Sequence, residues 1–152
     1  MTTTTPENVH DRMFMMQALK MVQASQDPVV QVGCIVVSGD GSVIGRAVNG
    51  IPKQLHTAAP QPDLPFYAWV EHAERRVIYD VLCRGHSLAG STLYLTWFPC
   101  VDCARALVQV GIATLVTSPP DFRDAVWGEN LRWANTLLRV AGVTMRQVEV
   151  SL

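Results

Sequence analysis

Charge is scarce in this chain. Asp, Glu, Lys and Arg make up 16% of its 152 residues, and 12 basic against 13 acidic side chains leave a formal net charge of −1. So small a net charge gives no electrostatic footprint for a long nucleic acid, and the basic stripe with interleaved aromatics that a single strand needs is missing. Action on tRNA or single-stranded DNA is disfavoured on that ground. Long apolar runs are also lacking: nothing approaches the ~20 consecutive apolar residues of a membrane span, so no membrane association is expected. Met1 to Pro6 is polar and Thr-rich rather than signal-like. There are four cysteines, and two of them sit in a metal-type motif. That argues against a disulfide framework and for a reducing, cytoplasmic compartment.

What is present is a compact, rather apolar composition, with 49% hydrophobic residues. The length suits one domain with a substantial core. Residues 1–7 are expected to be a flexible leader ahead of a single domain over 8–152. The low charged fraction leaves apolar surface that a homo-oligomer interface would cover.

Apolar spacing predicts a first helix over residues 8 to 25, carrying Val9, Met13, Met16, Leu19, Met21 and Val22 and ending before Asp27-Pro28. Val32 to Val37 and Val43 to Val48 read as a hairpin turned by Gly39-Asp40-Gly41. Asn49 to Pro65 holds Pro52, Pro60, Pro62 and Pro65, which excludes a central strand or helix interior and marks a long loop bordering a site. A second helix is expected from Val70 to Leu82, a strand at Ser91 to Thr96, and a helix at Cys100 to Val110. A strand at Ala113 to Ser118, a helix at Trp127 to Ala141 and a strand at Val143 to Val150 complete the chain. Strands alternating with helices imply crossover connections and parallel pairing. The fold class expected is α/β: a three-layer α/β/α sandwich with a five-stranded mixed sheet and helices on both faces.

The chemistry is concentrated in His72-Ala73-Glu74 and Pro99-Cys100-Val101-Asp102-Cys103. One His and two Cys make three zinc ligands, and three protein ligands with an open fourth position are the mark of a catalytic rather than a structural site. Cys100 and Cys103 fall at i and i+3, on one face of a helix start whose positive end favours thiolates. Pro99 suits the entry to that helix. Glu74 is left over as a carboxylate that need not bind metal and can move protons. Cys34 and Cys83 stand alone in apolar stretches and read as small core residues. Cys83 and His86 also have ligand-like spacing, but they fall where a helix should end. The methionines at 13, 15, 16 and 21 read as core packing.

H-x-E followed by P-C-x-x-C is the signature of zinc nucleobase deaminases. On these motifs the chain resembles the cytidine deaminase superfamily and, within it, the deoxycytidylate (dCMP) deaminase group. Asp27-Pro28 with Gln31-Val32-Gly33, Asn49-Gly50-Ile51-Pro52 and Ala141-Gly142-Val143 match further elements of that group. The resemblance implies a cytidine deaminase-like fold, Zn2+ held by His72, Cys100 and Cys103, and hydrolytic deamination, dCMP to dUMP with release of ammonia. Glu74 would take a proton from water, pass it to ring N3 and later protonate the departing ammonia. The small Ala73 would let the base edge approach the metal helix, and Asn49 would hydrogen-bond the sugar or base. From local sequence alone Asn49 reads equally as a turn residue before Gly50. Trp97, Phe98 and Phe122 are candidates for a wall against the base, Phe122 first among them, with core packing the alternative for each. Arg46, Lys53, Arg75, Arg76 and Arg123 are candidate phosphate contacts.

Three positions depart from the dCMP group: Gln26 stands where a basic residue is usual, Val48 replaces Tyr and Arg76 replaces Asn. These leave the reaction intact and open the alternatives of a free nucleoside, a nucleobase or another amino-heterocycle as substrate. Outside enzymology, a zinc-stabilised binding module is the competing interpretation, and it has no use for Glu74.

Overall fold

The computed structural model describes residues 9–58 and 61–152. The expected leader at 1–7 and Pro60 lie outside the described residues. A single five-stranded sheet, ordered β2-β1-β3-β4-β5, organises the chain. β1 (Gly33–Val37) runs antiparallel to both β2 (Val43–Val48) and β3 (Thr92–Leu95). β3, β4 (Thr114–Thr117) and β5 (Thr144–Gln147) are mutually parallel. The mixed sheet thus follows from one tight hairpin and two helical crossovers.

Helices cover both faces unequally. α2 (Ala73–Cys83), α3 (Val101–Gln109) and α4 (Gly128–Val140) bury Val77, Val81, Leu107 and Leu138 against Cys34, Val36, Leu93, Leu95 and Leu115. α1 (Val9–Met21) covers the other face, packing Met15 and Ala18 on Ile35, Tyr94 and Val116. Its approach is close: a Cβ on Gly33 would stand 2.2 Å from the Ala18 carbonyl oxygen. β1 is therefore buried along its whole length, as its unbroken apolar run requires.

Several boundaries differ from the sequence reading. α2 begins at Ala73, not Val70, because His72 is extended (φ −68°, ψ 148°) and forms the N-cap. Cys100 likewise caps α3 rather than opening it. The buried face of α1 is Asp11, Met15 and Ala18, whereas Val9 and Met13 are exposed. Asp11 is tolerated inside because Arg146 donates to both its oxygens, at 2.6 and 2.9 Å, and the Tyr94 hydroxyl donates at 3.1 Å. Cys83 is exposed at the end of α2, not a core residue; Cys34 is buried. No helix among the described residues is long and apolar enough to cross a membrane.

Candidate active site

The antiparallel register sets Cys34 of β1 opposite Leu95 of β3, so the start of β1, the end of β2 and the end of β3 share one edge of the sheet. Ligand sites in open α/β sheets form outside such carboxyl ends. A cavity of about 430 Å3 lies there, lined among others by Val32, Asn49, His72, Ala73, Glu74, Trp97, Phe98 and Cys100. Its size is within the roughly 300–1,000 Å3 of small-molecule sites.

The N-termini of α2 and α3 converge on it. His72 Nδ1 lies 3.6 Å from Cys100 Sγ and 3.4 Å from Cys103 Sγ. The three ligand atoms all fall within 4.8 Å of one another, and among the described residues they are the one such group of His, Cys, Asp or Glu. Zinc bonds of about 2.3 Å to sulfur and 2.0–2.1 Å to nitrogen at tetrahedral angles give N to S edges of about 3.5 Å. The cluster therefore fits zinc in both donor chemistry and spacing. Cys100 is drawn down to about 4 by hydrogen bonds from Cys103 and His72, so it ionises before Cys103, which that same bond raises. His72 is raised in turn by its bond to Cys100.

Glu74 is 4% exposed, lines the cavity and makes no ion pair with a described residue. Burial pushes its carboxyl up to about 7. Such a group both accepts and gives a proton near neutral pH. Arg75 turns away from the cavity: its Nη1 donates to Cys103 Sγ at 3.3 Å and its Nε to Glu71 at 2.7 Å. Glu71 also accepts from the His72 backbone N–H at 3.0 Å, which fixes the entry to α2.

Asn49 is buried and acts as a latch. Its Oδ1 accepts from the Val32 N–H at 2.8 Å and the Ser25 hydroxyl at 2.7 Å, while Nδ2 donates to the Val30 carbonyl at 2.7 Å. Gly50 and Glu71 exchange two backbone hydrogen bonds, of 3.0 and 2.9 Å, and pinch the long loop at its base. The loop reaches the cavity through its ends, at Asn49 and at Tyr67 and Val70. Its proline-bearing middle helps line a separate hollow, formed by Ile51, Leu55, His56, Leu64, Phe66 and Trp69.

Of the residues expected to meet substrate, Asn49, Ala73, Trp97 and Phe98 line the cavity and Phe122 does not. Phe122, partly buried, packs edge-on against Phe98 at the margin of the core, with ring centroids 6.1 Å apart. Sequence reasoning missed Tyr67, Trp127 and Asp27 in the lining. Tyr67 and Trp127 sit in loop and helix-start positions without periodicity, and only the fold brings them together. None of the candidate phosphate contacts lines the cavity: Arg46 and Arg76 border a groove on the outer side of β2, with Lys20, and Lys53 and Arg123 are exposed elsewhere.

Residues 8–118 match the family model described as the cytidine and deoxycytidylate deaminase zinc-binding region. The deoxycytidylate deaminase of Mus musculus is 30% identical, over 88% of this chain and 76% of the relative, and that of Homo sapiens matches to the same extent. In structure the chain is similar to a cyanophage S-TIM5 dCMP deaminase solved with dCMP and dUMP, with a TM-score of 0.73 and 26% identity, covering 95% of this chain and 98% of the other. The chain therefore belongs to the cytidine and deoxycytidylate deaminase family of zinc-dependent hydrolases.

Proposed function

We propose that this protein removes the C4 amine of a cytosine nucleotide by zinc-dependent hydrolysis, converting dCMP to dUMP and ammonia. The observation that carries the proposal is the buried carboxyl of Glu74 in the same cavity wall as His72 and Cys100. Its similarity to deoxycytidylate deaminases supports the choice of substrate.

His72, through Nδ1, and the Cys100 and Cys103 thiolates would hold the metal. When bound there, zinc supplies positive charge and lowers the pKa of water to about 7. Glu74 takes one proton from the attacking water and delivers it to ring N3, then takes the second from the new C4 hydroxyl and gives it to the amine, which leaves as ammonia; a carboxyl near 7 is suited to both directions of transfer. Ala73, with no side chain beyond Cβ, lets the base edge approach the start of α2. Asn49 spends one amide N–H on Val30 and offers the second to sugar or base. Trp97 and Phe98 present aromatic surface to the ring, and Phe122 packs edge-on against Phe98.

The deaminase domain spans residues 8–152 and acts in the cytoplasm as a homo-oligomer. The apolar face of α4, with Trp133, Leu137 and Val140 exposed, supports the last point. The test is direct. The purified protein should contain zinc and release ammonia from dCMP with formation of dUMP. If the zinc-loaded protein released none from any aminated nucleotide, nucleoside or base, the proposal would fail.

A further inference from the structure

We infer that Asn130, in the first turn of α4, is a positioning residue for Cys100: it fixes the opening turn of the metal helix and ties it to the wall of the cavity. The inference rests on the reading of His72, Cys100 and Cys103 as zinc ligands, and not on the choice of substrate.

The α3 ladder begins with the Ala104 N–H, which donates to the Cys100 carbonyl at 2.8 Å. The N–H groups ahead of it have no acceptor within the helix and need one from outside. Cys103 gives its N–H to Cys100 Sγ at 3.5 Å. Val101, the residue directly after Cys100, gives its own to Asn130 Oδ1 at 2.8 Å, across 29 residues of chain. A backbone N–H can only donate, so the amide oxygen of Asn130 must be the atom that faces it.

Asn130 is itself firmly held. Just before α4, Asp124 Oδ1 accepts from the Val126 and Trp127 N–H groups at 2.8 and 2.7 Å. Gly128 lies so close to the preceding loop that a Cβ there would stand 2.5 Å from the Phe122 carbonyl oxygen, and Arg132 donates to that same oxygen. On either side of Asn130, Trp127 and Leu131 line the same cavity as His72, Glu74 and Cys100. The bond therefore joins the neighbour of a metal ligand to the neighbour of a cavity-wall residue. Val101 and Asn130 are half-buried, so water can satisfy the N–H once Asn130 is lost. Water cannot hold α3 to α4.

The test is a double-mutant cycle on the full chain. It is read as zinc affinity by competition with an indicator, and as the absorption spectrum of the cobalt(II)-loaded protein, whose thiolate-to-cobalt bands report the sulfur ligands. Asn130→Leu removes the acceptor at similar size. Val101→Pro removes the donor at the first helical position, where Pro is accommodated, and Cys100 before it is already extended (ψ 167°) as a residue preceding Pro requires. Partners that orient a metal ligand are worth about 10–100-fold in affinity, and from one residue away each substitution should cost about tenfold. Each should also shift the cobalt bands, and the double variant should lose no more than either single one. Unchanged affinity and spectrum in both single variants, or losses that add in the double, would overturn the inference. If Asn130→Leu failed to fold, Val101→Pro alone would decide, since it leaves every side chain of α4 in place. A wild-type chain that bound zinc but deaminated no compound would end the functional reading, while the cycle would still decide the role of Asn130.

Discussion

The Arg75 guanidinium bridges the two halves of the metal motif: it donates 3.3 Å to the Cys103 sulfur, 28 residues away, and 2.7 Å to Glu71, which in turn accepts from the His72 backbone. A fixed cation beside two thiolates offsets part of their charge and holds Cys103 in place. Partners of this kind are worth about 10–100-fold in metal affinity or activity. Arg75→Gln should therefore weaken zinc binding within that range, as read by competition with a zinc-binding indicator. Unchanged affinity would leave Arg75 with only its Glu71 contact.

Glu74→Gln keeps the shape of the side chain and removes its proton transfer. The expected loss in kcat is about 10^2–10^4-fold, with zinc content by metal analysis unchanged. Full turnover in the variant would remove Glu74 from the mechanism.

Asn49→Ala strips the Val32 N–H of its acceptor in a buried position, and the Ser25 and Val30 contacts go with it. An orphaned buried donor costs about 1–3 kcal/mol. Urea unfolding should show a loss of that size with the slope unchanged, alongside a higher KM. A drop in turnover at full stability would instead mean that the latch contributes nothing to folding.

The Tyr94 hydroxyl is pushed up to about 12, first by burial and then by Asp11, to which it donates. The folded state thus holds this proton more tightly than the unfolded chain, whose tyrosine titrates near 10. Its contribution to stability is complete below pH 10 and falls away as pH rises from 10 through 12. Between pH 9 and 11 the native protein should lose about 1 kcal/mol more than Tyr94→Phe does. Equal losses in urea unfolding at the two pH values would count against the Tyr94–Asp11 contact.

Much of the fold is legible in the chain. β2 runs over the predicted residues, and β1 starts one residue late, because alternating turn residues and apolar runs are local signals. The α1 face was not legible, since Asp11 is buried only by virtue of Tyr94 and Arg146, the latter 135 residues away. Cys83 was misread as a core residue for a related reason: an apolar stretch does not say which side of a helix meets the sheet, and Cys83 is exposed.

The site divides in the same way. By itself the sequence determined where the candidate residues sit: His72, Glu74, Cys100 and Cys103 fall in two short motifs, and short motifs fix local geometry at a helix start. Only the tertiary structure decided what surrounds them. It left Phe122 out of the lining, in edge contact with Phe98, brought in Tyr67, Trp127 and Asp27, and kept every Lys and Arg among the described residues out of the lining. Which side chains share a cavity depends on how a sheet edge, a pinched loop and two helix ends meet, and that packing is set by contacts between residues far apart in the chain.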